Sequence, residues 1–289
     1  MKRAIRRFVS HLDGKNKYIF FIILILICVV ALSLSIYVQF FYKYSDTDPF
    51  MIGINIGAKK TAEEYDLLRS NFNELFQNHL KINSDEIRVK KLENEKEIVY
   101  TGYNLINQDE TYYSVDAQIP VINIDTEAIK KVNAEIKNEY YNKSNSIMRQ
   151  KEGNTIYKVS YVAYVNSDIL SVVIKTSLKE EGKSERVSIK TYNYSISQEK
   201  LISLDDLIGL KKTTTEVVQK SINDEIKKAY ENARIIAAEY GTLFERDLSS
   251  EMYTIQATEN YFLTDDGYVY IVYAYGNKDY TNEMDIVIF

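Results

Sequence analysis

The sequence predicts an α+β fold: two antiparallel-sheet-plus-helix units outside a membrane, preceded by one transmembrane helix. Three observations predict it. Residues 18–41, YIFFIILILICVVALSLSIYVQFF, carry no charge, which reads as a membrane span. Beyond them, runs rich in Val, Ile, Thr and Tyr alternate in polarity and are separated by short turn signals, which reads as antiparallel strands. Each of two such groups of strands contains a stretch with apolar residues at three- and four-residue steps, which reads as a helix packed on a sheet.

The span is long enough for its task. As a helix, residues 18–41 reach about 36 Å at ~1.5 Å per residue, against a hydrocarbon core of about 30 Å. Before the span stand Lys2, Arg3, Arg6, Arg7, Lys15 and Lys17 against the single acid Asp13, while Lys43 after it is answered by Asp46 and Asp48. That asymmetry puts the amino end in the cytoplasm and the rest outside. Arg3, Arg6, Arg7, Lys15 and Lys17, with Tyr18 at one boundary and Tyr37 and Tyr42 at the other, are the expected membrane-interface residues. The end SIYVQFF is bulky where a signal-peptide cleavage site is small, and Ile27 precedes Cys28 where a lipoprotein signal wants a small residue. An uncleaved single-pass anchor follows. The expected division is a basic tail at 1–17, the span at 18–42, a stalk, amphipathic helix and first strands at 43–105, and units at 106–198 and 199–289.

Charge excludes one class of partner. Residues 1–17 hold six of the 36 Lys and Arg and one of the 41 Asp and Glu, leaving 30 bases against 40 acids beyond them. An exterior of net −10 is a poor match for nucleic acid, which is bound by basic faces. Membrane lipid is the expected partner of the anchor. Cys28 is the only cysteine and lies in the span, so the exterior has no disulfide. That, with the abundance of Lys, Asn, Ile and Tyr, points to a low-GC bacterium with a single membrane.

In chain order, Pro49, Gly53 and Gly57 mark a stalk. From Thr61, Tyr65, Leu68, Phe72, Leu75, Phe76 and His79 form an apolar stripe over about five helical turns, expected to dock on the domain that follows. The runs EIRVKKL, EKEIVYTGYNLI and TYYSVDAQIPVINI read as strands, with Pro120 at a strand end or edge. A helix begins at Asp125 or Thr126, with Ile129, Val132, Ile136 and Tyr140 on its apolar side, and ends at Gly153 and Asn154. TIYKVSYVAYVN, ILSVVIKTSL and ERVSIKTYNYSI then form a meander. Ser203 with Asp206 caps a short helical turn, and a long helix with Val218, Ile222, Ile226, Tyr230, Ala233 and Ala237 on one face runs to Gly241. ENYFLT, the turn Asp265-Asp-Gly267 and YVYIVYAYG form a hairpin, and EMDIVIF closes the chain. The windows VNAEIKNEY and INDEIKKAY share N-x-E-I-K, read either as chance or as an echo of two related halves.

Catalytic constellations are absent from the exterior sequence. With His11 before the span and His79 on the apolar stripe, no imidazole stands ready for a triad or a metal. No GxxxxGK[ST] or GxGxxG run occurs to cradle a nucleotide. Asp205-Asp206 and Asp265-Asp266 are explained by capping and by a hairpin turn. A non-catalytic protein without cofactor or metal is expected. The 25 tyrosines are the remaining feature: Tyr268, Tyr270, Tyr273 and Tyr275 make either a binding platform or ordinary strand packing, and packing accounts for most of them.

The segments YSVDAQIPVINIDTEAIKKVNAEIKN, ILSVVIKTSL, TYNYSISQEKLISLDDLI and FLTDDGYVYIVYAYG, in that order, resemble the extracytoplasmic tandem domain of unknown function shared by the anti-sigma factor RsiV and the peptidoglycan deacetylase PdaC. They fall within residues 112–289. Members commonly carry a Gly-Gly-Ala-His-type turn between the two central strands, where this chain reads KEEGKSER without His. The resemblance implies a tethered envelope module that binds peptidoglycan or a lysozyme-like extracellular protein. It places the ligand loops at Glu181, Lys183 and Arg186 and at Tyr273 and Tyr275. The competing expectation is a structural or interaction subunit docking to another membrane or wall protein, including an anti-sigma-factor-like role through a partner.

Overall fold

The computed structural model describes residues 57–77, 80–81, 87–240, 244–279 and 281–289. All of them belong to the unit Phe50–Phe289. The predicted span, its interface residues Arg3, Arg6, Arg7, Lys15, Lys17, Tyr18, Tyr37 and Tyr42, and His79 lie outside the described residues. Among the described residues no helix is long and apolar enough to cross a membrane.

Helix α1, Ala62–Ser70, opens with a capping box in which the Glu64 amide donates to Thr61 Oγ1 at 3.3 Å and Glu64 Oε2 accepts from the Thr61 amide at 2.8 Å. The helix expected to run on breaks at Asn71 and continues as a 3₁₀ turn, Phe72–Gln77. The break turns Phe72 and Phe76 inward, against Tyr164, Phe262 and Tyr270. The stripe therefore docks on the body of the protein.

The larger sheet contains β1 (Leu80–Lys81), β2 (Val99–Asp109), β3 (Tyr113–Ile122), β4 (Thr155–Asn166), β5 (Ile169–Glu180), β6 (Arg186–Ser195) and β7 (Lys200–Leu201). Its order is β2-β3-β4-β5-β6-β7, with β1 also against β4. The meander β4-β5-β6 is antiparallel as expected, but β3 and β4 are parallel, and so are β1 and β4. The wholly antiparallel sheet is thus corrected to a mixed one. The cause is the connection: α2 (Glu127–Ile136), a π-helical turn (Lys137–Tyr141) and α3 (Asn142–Ile147) carry the chain back across one face, so β4 starts in the same direction as β3.

A second correction concerns EIRVKKL, whose described residues are irregular. Just past that run, buried Asn123 takes the backbone groups of residues 93–97, accepting from the Glu93 amide at 2.8 Å and donating to the carbonyls of Glu93, Glu95 and Glu97. Pro120 sits where β3 pairs with β2 alone. Two residues on, Asn133 of α2 supplies both bonds to Ile122 that a neighbouring strand would give. Asn223, its counterpart in the echoed window, instead accepts from Gln219 on its own helix.

After α4 (Leu204–Leu210), capped by Ser203 and Asp206, comes α5 (Thr215–Tyr240). The smaller sheet is β10-β9-β8, from β8 (Tyr261–Leu263), β9 (Val269–Ala274) and β10 (Met284–Ile288), all antiparallel. The turn α6 (Gly276–Asp279) separates β9 from β10.

Three apolar clusters show the layering. One lies between the α2–α3 segment and one face of the larger sheet. A second lies between that sheet's other face, the 3₁₀ turn and the smaller sheet. The third joins the far face of the smaller sheet to α4 and α5. The fold is therefore mixed α+β, with a large sheet and a smaller sheet stacked between helical layers.

Candidate functional site

The expected ligand residues fall into two groups with different fates. Glu181, Lys183 and Arg186 come together on the β5–β6 hairpin, where Gly182 adopts φ +70°. Glu180 holds the tip by accepting from Arg186 at 2.7 Å and Lys183 at 3.2 Å. Glu181 and Lys183 are exposed and Arg186 is partly so. Beneath the hairpin, the Lys143 ammonium lies 5.1 Å from the centre of the Tyr157 ring. Its partial burial, and secondarily the charge of Arg186, lower its pKa.

Tyr273 and Tyr275 are not surface residues: they are 5% and 0% exposed. Both faces of β9 are covered, one by the larger sheet and the other by α5, so no platform is open to a ligand. Tyr268 and Tyr270 are buried on the opposite face. The Tyr273 hydroxyl pairs with Thr258 at 3.0 Å, and burial pushes its pKa up to about 12 although that bond works against the shift.

Tyr275 belongs to a charged network that sequence reading missed. Its hydroxyl donates to Asp285 Oδ2 at 2.5 Å and meets the Tyr253 hydroxyl at 3.1 Å. Arg246 grips Asp285 through Nε and Nη2, and its Nη1 donates to Glu283 and to the Phe244 carbonyl, both at 2.8 Å. Phe244 stacks on the Tyr275 ring with centroids 3.9 Å apart. Burial disfavours the guanidinium charge, but the bonds from Asp285 and Glu283 outweigh it and hold the Arg246 pKa high. No local motif announces this cluster, because Arg246 and Asp285 are far apart in sequence.

Asp285 also forms part of a cleft of about 310 Å³ between α1, α5 and β10. Arg69, Ser70, Phe72 and Asn73 make one wall, and Glu225, Ala229 and the β10 residues Met284, Asp285 and Ile286 make the other. Arg69 spans it: Nη2 pairs with Glu225 at 2.9 Å, Nε donates to the Ile286 carbonyl at 3.0 Å, and Nη1 pairs with Asp66 at 2.7 Å. Asp66 in turn pairs with Lys228 of α5 at 2.9 Å. Burial raises the Glu225 pKa, opposed by the charges of Arg69 and Lys228. The cleft therefore has one carboxylate, Asp285, held from behind by Arg246 and a second, Glu225, whose charge is less favoured. Among the described residues no three or more His, Cys, Asp or Glu side chains are grouped to hold a metal ion.

No protein-family model matches the chain, and no curated protein matches it. Among solved structures it is similar to a DUF3298 family protein from Pseudomonas aeruginosa PAO1, at 14% identity and a TM-score of 0.37, over 63% of this chain and 83% of that one. It is also similar to a DUF3298 family member from Bacteroides fragilis NCTC 9343, at 15% identity and a TM-score of 0.31, over 61% of this chain and 80% of that one.

Proposed function

We propose that this chain is a membrane-anchored, non-catalytic binding and sensing module of the bacterial cell envelope, with its folded part outside the membrane. The observation that carries the reading is the two-walled cleft. One wall, α1 with the 3₁₀ turn, is the first helical element among the described residues and follows the predicted span in sequence, and the other belongs to the body. A ligand that binds there with different affinity for the docked and undocked α1 shifts the balance between them, as any effector of a two-state element does. The sequence-based ligands are peptidoglycan and a lysozyme-like protein. Burial of Tyr268, Tyr270, Tyr273 and Tyr275 removes the candidate aromatic platform for either ligand, while an exterior of 30 bases against 40 acids steers basic proteins. The protein ligand is therefore the better supported.

The test uses the full chain in lipid vesicles, challenged in parallel with lysozyme and with insoluble peptidoglycan, and read by co-sedimentation and by amide hydrogen exchange over residues 62–77. Lysozyme binding with changed exchange in that segment is the expected result. Retention by neither probe would sink the reading. Protease shaving of intact cells tests topology separately, since a carboxy-terminal tag that resists digestion would overturn the outside assignment.

A structural or interaction subunit is the second reading. It is favoured by the far end of α5, where Ile235 and Ile236 are 68% and 46% exposed. Replacing both by Asp leaves lysozyme binding intact under the first reading, and releases a membrane partner under the second.

A further inference from the structure

We propose that the outer face of the π-helical turn and α3 is a separate binding site for a carboxylate-bearing oligosaccharide. The proposal does not rest on the cleft between α1 and α5.

The π-helical turn sets up the site. In this wider turn Tyr140 points inward, 3% exposed, while Tyr141 stays half-buried at the surface. From Tyr141 onward, Asn145 follows one turn along and shares its side of the helix, and Arg149 lies in the turn just past the end of α3. With Asn142 and Ser146 they line a groove of about 380 Å³.

Each side chain offers something a sugar acid needs. Tyr141 is braced from behind by Tyr103 of β2, ring centres 4.5 Å apart and planes at 39°, so the pair forms a firm aromatic wall for the C–H face of a pyranose ring. The Asn145 amide donates to the Tyr141 carbonyl at 2.9 Å and the Asn142 amide to Asn138 Oδ1 at 3.1 Å. Those bonds fix both side chains with their own carbonyl oxygens left to accept from hydroxyls.

The charge identifies the class of sugar. Lys137 places its ammonium 5.8 Å from the Tyr103 ring centre and 5.9 Å from that of Tyr141, and Arg149, which lines the groove, is exposed. Neither makes an ion pair among the described residues. Two cations with no ion pair among the described residues, one over the aromatic pair and one in the groove lining, select an anion. The planar fork of Arg149 matches a carboxylate.

The full chain is titrated with a tetrasaccharide of alternating uronic acid and N-acetylhexosamine, with a neutral N-acetylhexosamine tetrasaccharide, and with acetate. The charged sugar is expected to bind about tenfold more tightly than the neutral one, the increment of one charge-assisted contact. Arg149→Gln removes that preference, and Tyr141→Ala weakens both sugars. Arg149 is at the surface, so its variant folds and keeps the test alive even if Tyr141→Ala does not. Equal affinity for the two sugars, a preference surviving Arg149→Gln, no binding of either sugar, or full competition by acetate alone would each overturn the proposal.

Discussion

The guanidinium of Arg246 holds the carboxylate of Asp285 by two parallel hydrogen bonds, 2.9 and 3.0 Å long, with both residues buried. The pair fastens the segment before Asp247 to the last strand and fixes the carboxylate behind the cleft. Removing one partner strands the other charge in a buried site, which costs about 3–5 kcal/mol. Arg246→Met is therefore expected to lower denaturant stability by that order. The double variant Arg246→Met, Asp285→Leu recovers most of the loss, because no unpaired charge remains. A double variant as unstable as the single one would show that the network is held by more than this pair.

Gly276 opens the α6 turn where that turn passes the start of β6. A Cβ placed on it would come within 2.2 Å of the Val187 carbonyl oxygen and 2.7 Å of the Val187 nitrogen. Those are backbone atoms and cannot swing aside, so Gly276→Ala forces the α6 turn and β6 apart. Gly209 in α4 is the contrasting case, with nothing within 4 Å of its hypothetical Cβ. There Ala reduces the freedom of the unfolded chain, a gain of about 0.5–1 kcal/mol. Opposite shifts in thermal midpoint are expected from the two substitutions, and a stabilising Gly276→Ala would mean that the close approach relaxes freely.

These two features also mark the limit of what the sequence displays. Elements defined by neighbours in sequence are legible: the Ser203–Asp206 cap forms as read and a helix starts after Thr61, and Gly267 takes φ +88° in the β8–β9 turn. The meander β4-β5-β6 follows from its short turns. What fails is long-range. Nothing local says that β3 and β4 run parallel, or that Asn123 replaces a strand partner for residues 93–97. Tyr275 reads as a surface tyrosine because alternation along β9 cannot reveal that both faces are covered. The hairpin residues Glu181, Lys183 and Arg186 are brought together because they adjoin in sequence, whereas Arg69, Glu225 and Asp285 share a cleft that only the tertiary fold assembles.

Phe72 is the apolar anchor of the segment leading from α1. It is 1% exposed and touches the rings of Phe76, Phe262 and Tyr270 at centroid distances of 5.5, 6.4 and 6.4 Å. Phe72→Ala is expected to cost about 3–5 kcal/mol. Leu67, on the opposite side of α1 and 59% exposed, gives the control: Leu67→Ala changes stability by less than about 0.5 kcal/mol. Hydrogen exchange over residues 62–77 should rise in the first variant only. Equal protection in both would contradict docking through this ring.

Glu225 gives the cleft a pH dependence whose sign follows from its environment. Burial raises its carboxyl above the usual range even though Arg69 pairs with it at 2.9 Å. The unfolded chain, with an ordinary value near ~4.3, therefore loses this proton at lower pH than the folded one does. The stability contributed by the protonated form is fully present below that unfolded value and is lost as pH rises through the higher folded value. Glu225→Gln keeps a neutral side chain of the same shape at every pH. Wild type and variant are expected to melt together below about pH 4, with the variant becoming the more stable as pH rises to 7. Melting curves across that range decide the matter: a variant less stable than wild type at pH 7 would mean that the ion pair with Arg69 outweighs the burial of the charge.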